Sequence, residues 1–223
     1  MSSLENITLV FLRAPLLGKV KTRLSKAIPE DLVLDLYKGF IGDIIDEVSK
    51  ISKPLLYCYP CNKVDFVSDW IDHKYKVLPQ SGDDIGKKMQ RAFKETFSRG
   101  YKKAILIGTD IPLITGEIIL RAYDMLESSD CVLGPSEDGG YYLIGFREDS
   151  FETGYFENIK WSTTDVYDGT LKILNKRSKK VYNLPRLNDI DTMDDLKELE
   201  SSGGSTGNRT GNNLVKIKEY FDL

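Results

Sequence analysis

The stretch Lys103-Ala104-Ile105-Leu106-Ile107-Gly108-Thr109-Asp110-Ile111-Pro112 decides the fold. It is a short apolar run, rich in β-branched residues, that stops at a glycine, a threonine, a carboxylate and a proline. A run this short, fenced by Gly and Pro, reads as a parallel strand covered on both faces rather than as a helix. Asp110 then stands at the strand's carboxyl end, where open α/β sheets bind their ligands. An acid there can hold a metal over bound phosphates, or it can simply cap the turn before Pro112.

On either side of this strand the chain alternates. Ile7-Thr8-Leu9-Val10-Phe11-Leu12 reads as a first strand, and Leu32, Leu36, Phe40, Ile44 and Val48 repeat at the spacing of an amphipathic helix. Pro54 to Tyr59 and Lys76 to Pro79 are strand-like, and Ile85, Met89, Phe93 and Phe97 mark another packed helix. Thr115 is placed to cap a helix carrying Ile118, Ala122 and Met125. This is the βαβ rhythm of a mostly parallel sheet flanked by helices, an α/β fold of the Rossmann-like kind. The rhythm breaks where Cys131 to Pro135 and Tyr141 to Phe146 flank Asp138-Gly139-Gly140, a tight-turn signal that predicts a small antiparallel excursion. Lys180 to Leu184 is the last strand-like run, and Thr192 and Asp195 have capping-box spacing at the start of a helix.

Residues 1–200 are expected to form one domain, since 223 residues suit a single sizeable core. The Ser-, Gly- and Asn-rich residues 201–213 read as a flexible linker, and Leu214, Ile217 and Phe221 share one face of a short C-terminal helix over 214–223. That helix is free to dock on the domain or on a partner subunit, making a homo-oligomer.

Composition bounds the partners. The formal charge of −3 and a pI near 5.4 give no footprint for nucleic acid or an anionic membrane, so any basic site is local. No apolar run reaches the length of a membrane span, and no leader pattern opens the chain, which suggests a cytoplasmic protein without membrane insertion. Three cysteines are too few for a disulfide framework, and Cys58-Tyr59-Pro60-Cys61 has no second pair to complete a zinc site. His73 is the one histidine and lies in a polar stretch, which leaves a Ser-His-Asp hydrolase little to build on.

The chemistry is carried by loops. Between Arg13 and Leu24, Gly18 and four cations, Arg13, Lys19, Lys21 and Arg23, crowd together in an otherwise acidic chain. Glycine lets backbone N–H groups approach an anion and Arg offers a planar fork for phosphate oxygens, although a solvated basic loop has the same composition. The spacing is neither a Walker loop nor a dinucleotide fingerprint. A parallel sheet would bring this loop, Gly108-Thr109-Asp110 and Asp189-Ile190-Asp191 to one rim. Cations for phosphates and separate acids for a divalent ion, Mg2+ or Mn2+, then make one site.

Gly18-Lys19-Val20-Lys21-Thr22-Arg23-Leu24, Gln80-Ser81-Gly82-Asp83, Ile107 to Pro112, Gly134 to Gly145 with its Glu137-Asp138-Gly139-Gly140-Tyr141-Tyr142 centre, Trp161-Ser162-Thr163 and Asp189 to Thr192 occur in this order. In this the chain resembles a GT-A-fold family of the nucleotide-diphospho-sugar transferase superfamily, from Ile7 to Leu199, with Arg13 where many members have Lys. The resemblance implies a transferase that binds a nucleotide or nucleotide sugar and a small-molecule acceptor. Arg13, Ala14, Pro15, Gly18, Lys21, Arg23, Gln80 and Gly82 would line the nucleotide side. Asp110 and Asp191, with Asp189 in reserve, would hold the metal, and Asp138, Gly139, Gly140, Trp161, Ser162 and Thr163 would face the acceptor. Asp110, Lys21 and Asp138 would carry catalysis, Asp138 as a base, though an Asp in Asp-Gly-Gly also serves as a turn residue.

Three functions remain open at this point. Glycosyl transfer from an NDP-sugar is the usual class of such relatives. Nucleotidyl transfer from an NTP is the alternative, because Lys21 to Leu24 and Ile190 to Thr192 also resemble the molybdenum-cofactor and phospholactate guanylyltransferases. A nucleotide-binding module without catalysis is the third.

Overall fold

The computed structural model describes residues 4–201 and 206–221. The apolar runs become β1 (Leu4–Arg13), β2 (Lys53–Tyr59), β3 (Val77–Pro79), β4 (Tyr101–Ile107), β5 (Cys131–Pro135), β6 (Tyr141–Arg147) and β7 (Val181–Asn183). Between them lie α1 (Glu30–Ile51), α2 (Val64–Trp70), α3 (Ile85–Ser98), α4 (Gly116–Met125) and α5 (Val166–Lys176), followed by α6 (Met193–Ser201) and α7 (Asn208–Phe221).

The strands form one sheet in the order β3-β2-β1-β4-β6-β5-β7. β1 is parallel to β2 and β4, β2 to β3, and β5 to β7, while β6 runs antiparallel between β4 and β5. The antiparallel excursion is thus a single strand inserted into a parallel sheet. Alternation along β1 explains why both faces are covered. Val10 and Leu12 enter one apolar core with α1 and α4, whereas Ile7, Leu9 and Phe11 enter the other with α3. In that second core Phe93, Phe97, Phe146, Phe151 and Phe156 form a ring cluster.

Helix starts follow the expected chemistry. Thr115 accepts a hydrogen bond from the Ile118 N–H, and Asp84 caps α3 through the Lys87 N–H at 2.7 Å. At α6, Asp195 Oδ2 accepts from the Thr192 N–H at 2.7 Å while Thr192 Oγ1 accepts from the Asp195 N–H at 3.3 Å, a reciprocal capping box.

The C-terminal segment corrects the linker expectation. Helix α7 begins at Asn208, so residues 208–213 are helical rather than linker, and the part of the linker over 202–205 lies outside the described residues. The reason is tertiary. The buried Asp43 of α1 accepts hydrogen bonds from the backbone N–H groups of Arg209 and Thr210, at 3.2 and 2.8 Å, and so caps the helix from outside. Gly39 and Gly42 of α1 allow the close approach, since a Cβ at Gly42 would stand 2.7 Å from the Arg209 side chain. Among the described residues no helix is long and apolar enough to cross a membrane.

Candidate functional site

β1 pairs with β2 on one side and β4 on the other, and the connections leave in opposite directions, so a crevice opens beyond the carboxyl ends of β1 and β4. Arg13 ends β1 and Asp110 lies three residues beyond Ile107, the end of β4. Tyr37, buried on α1, ties the two ends together. Its hydroxyl accepts from the Arg13 N–H at 3.0 Å and lies 3.1 Å from Thr109 Oγ1. Nothing in its sequence position sets it apart from the apolar stripe in which it sits.

At the centre of the crevice, Lys21 Nζ stands 2.5 Å from Asp110 Oδ1 and 2.8 Å from Asp191 Oδ1. The Lys21 side chain is 3% exposed, and its backbone has φ 45°, a left-handed conformation that turns it inward. Burial by itself would lower the Lys21 pKa, but the two carboxylates reverse this and the ammonium is held above its ordinary range. Arg23, in contrast, is 70% exposed, with Nη1 only 4.0 Å from Asp191 Oδ2.

Two clefts meet on the acids of this triad, Asp110 and Asp191. The first, about 510 Å³, is lined by Arg13, Lys21, Arg23 and Lys88, with Tyr59 and Gln80. Lys88 Nζ lies 3.9 Å above the Tyr59 ring, and the Arg13 guanidinium is 5.8 Å from it. Gln80 is buried, and its amide nitrogen donates to the carbonyls of Leu12 and Tyr57 at 3.2 and 3.0 Å, so its own carbonyl is the group left for a ligand. Ala14, Pro15, Gly18 and Gly82 shape the surrounding loops and are not among the lining residues. Gly82 has φ 147°, and a Cβ there would stand 2.8 Å from the backbone of Lys87.

The second cleft, about 950 Å³, is lined by the acids Asp110, Glu137, Asp138, Asp189, Asp191 and Asp195. Its walls include Trp161, Ser162, Thr163, Tyr141 and Tyr142, and its lining cation is Arg23. Asp138 Oδ1 accepts from Ser136 Oγ at 2.5 Å and from the Gly140 N–H at 2.9 Å, so this oxygen holds the Asp-Gly-Gly turn. Gly140 lines the cleft, whereas Gly139 packs away from it, with φ 86° and room for no Cβ beside the Thr164 carbonyl. Trp161 rests against Gly86 of α3, where a Cβ would fall 2.2 Å from its ring.

Asp189 Oδ1 is buried without a hydrogen-bond partner. Burial, then the charges of Asp138 and Asp110, raise the Asp189 pKa to about 7. An orphaned carboxylate oxygen beside further acids fits a hard divalent cation, and every donor present is oxygen, as Mg2+ or Mn2+ prefers. Among the described residues no group of three or more His, Cys, Asp or Glu side chains converges tightly enough to hold a metal alone. Mg2+ commonly takes one or two carboxylates and completes its shell with phosphate oxygens and water.

The Asp189 shift has a measurable consequence. The folded chain binds this proton more tightly than the unfolded one, so stability falls as pH rises from the ordinary aspartate range to about 7 and levels off above it. Asp189→Asn in metal-free protein should therefore raise the unfolding temperature at pH 8 and leave it unchanged near pH 4. Equal gains at both pH values would show that the carboxylate is not strained in the fold.

A family model described as "Uncharacterized protein conserved in bacteria (DUF2064)" matches residues 48–163, just over half of the chain. A solved structure from Desulfovibrio desulfuricans G20, described as a candidate nucleotide-diphospho-sugar transferase, is 32% identical with a TM-score of 0.90, covering 96% of this chain and 94% of that one. The 2-phospho-L-lactate guanylyltransferase of Methanocaldococcus infernus is 25% identical over 189 residues, 82% of this chain and 80% of the relative. The 4-diphosphocytidyl-2C-methyl-D-erythritol synthase of Anaerococcus prevotii DSM 20548 shares the fold at 12% identity, with a TM-score of 0.58 over 90% of this chain and 99% of that one. The chain belongs to the family described as "Uncharacterized protein conserved in bacteria (DUF2064)" and is an enzyme of the nucleotide-diphospho-sugar transferase and nucleotidyltransferase-like class.

Proposed function

We propose that this enzyme is a divalent-metal-dependent nucleotidyltransferase: an NTP lies in the cation-lined cleft, a small acceptor lies in the acid-lined cleft, and pyrophosphate leaves. The observation that carries the reading is the seam itself. Asp110 and Asp191 come from separate loops, share one buried cation, and line both clefts. Arg13, Arg23 and Lys88 would hold the phosphates, with the Gln80 carbonyl facing the base or ribose. A divalent cation across Asp110 and Asp191, with Asp189 beside them, would neutralise charge on the departing phosphates. Asp138 would use Oδ2, the oxygen not spent on its turn, to take the acceptor's proton. The guanylyltransferase relative supports nucleotidyl transfer, as does the single acid in Gly108-Thr109-Asp110 where many glycosyltransferases of this fold carry an Asp-x-Asp pair.

Glycosyl transfer from an NDP-sugar is the second reading, favoured by one observation. Aromatic walls and an excess of carboxylates suit the faces and hydroxyls of a sugar and oppose a phosphorylated acceptor. Product analysis separates the two. Nucleotidyl transfer releases pyrophosphate from one of ATP, GTP, CTP or UTP when neutral sugars and polyols or their phosphates are supplied with Mg2+. Release of an NDP from an NDP-sugar under the same conditions would replace the first reading by the second.

A further inference from the structure

We infer that Lys21 exchanges partners: its ammonium fills the cation position between Asp110 and Asp191 in the metal-free enzyme and moves to the donor's phosphates when the divalent ion arrives. This rests on the metal-dependent reading above and adds to it a coupling between metal and phosphate.

The argument is one of space and charge. The Lys21 ammonium already lies within ion-pair distance of both acids that would hold the metal, and one of these contacts is a 2.8 Å hydrogen bond. A divalent ion sharing those two carboxylates would stand beside a like charge at close range, an arrangement in which like charges strongly oppose each other. With its side chain 3% exposed, Lys21 also has little surface to offer a phosphate where it now lies. Yet it lines the cation-rich cleft together with Arg13 and Arg23, so a displaced ammonium meets that cleft first. The two acids are about half exposed, at 54% and 45%, so water or a metal can replace the lysine without stranding a buried charge. Phe40, whose ring centroid is 5.9 Å from Nζ, walls the resting position on the protein side.

The consequence is opposite effects from one substitution. Without Lys21 the carboxylate pair is vacant for metal, while the phosphates lose a donor. Mn2+ binding to the whole chain, read by electron paramagnetic resonance, and binding of inorganic tripolyphosphate as its Mn2+ complex are the probes. Lys21→Met should bind Mn2+ alone about tenfold more tightly than the unaltered protein, and bind the Mn2+–tripolyphosphate complex several-fold more weakly. A lysine that merely braces the loop would weaken both, and equal Mn2+ affinity in the two proteins would remove the exchange while leaving the metal reading intact. Absence of Mn2+ binding in both proteins, with and without tripolyphosphate, would overturn the metal reading and the exchange with it. A second test needs no variant: crystals grown with Mn2+ and tripolyphosphate should show Lys21 Nζ on a phosphate oxygen, and Nζ still between Asp110 and Asp191 beside a bound metal would contradict the exchange.

Discussion

Asp110→Asn is expected to lower turnover by about a hundredfold to a thousandfold, the range seen when one charge-stabilising group is lost from a preorganised site. The amide keeps the shape of the side chain and removes the charge that pairs with Lys21 and that a divalent ion would use. Folding should remain cooperative, because the Asp110 side chain is half exposed and Lys21 retains Asp191 at 2.8 Å. Turnover with saturating nucleotide and Mg2+, together with a thermal unfolding scan of the same preparation, checks both halves. Unchanged turnover would remove Asp110 from the mechanism, and a collapsed transition would make its role structural.

Phe93→Ala is expected to cost about 3–5 kcal/mol of stability, the usual range for removing a buried phenyl ring. Phe93 is fully buried, with ring centroids of Phe146, Phe151, Phe97 and Phe156 between 5.2 and 6.1 Å away. For a domain of this size the loss corresponds to roughly 10 °C in unfolding temperature. The effect should reach the site unevenly. Phe156 passes the cluster on to Trp161 at 6.4 Å, and Trp161 also leans on Gly86 of the helix that bears Phe93. Acceptor KM should therefore rise more than donor KM. A denaturant titration showing a loss below about 1 kcal/mol would mean that the cluster repacks around the gap.

Much of the architecture was legible because its signals are local. Short β-branched runs such as Ala104 to Ile107 cannot bury themselves except as strands between helices, and Thr115 and the Thr192–Asp195 pair cap within four residues of themselves. Features set by distant partners were not legible. Asn208 to Asn213 read as linker because Gly and Asn are poor helix formers, yet Asp43, far away in sequence, caps that helix. Local composition makes Lys21 one of several loop cations and the family resemblance gives it a nucleotide-binding and catalytic role, but only the fold brings it to Asp191, 170 residues further along the chain. Tyr37 carries no local signal, because its hydroxyl acquires a purpose only when the ends of β1 and β4 come together. The alternating strands thus announced the rim, while the charge pairing on that rim depended on contacts no local pattern encodes.

The most direct test of the account is thermal unfolding with a panel of NTPs, NDPs and NDP-sugars, each with and without Mg2+. A ligand held across the two clefts at about 100 times its dissociation constant should add about 2.7 kcal/mol, a rise of roughly 5–10 °C here. Such a rise is expected for one nucleotide family, dependent on the metal and absent in Asp110→Asn. No stabilisation by any member of the panel, or equal stabilisation with and without metal in both proteins, would contradict it.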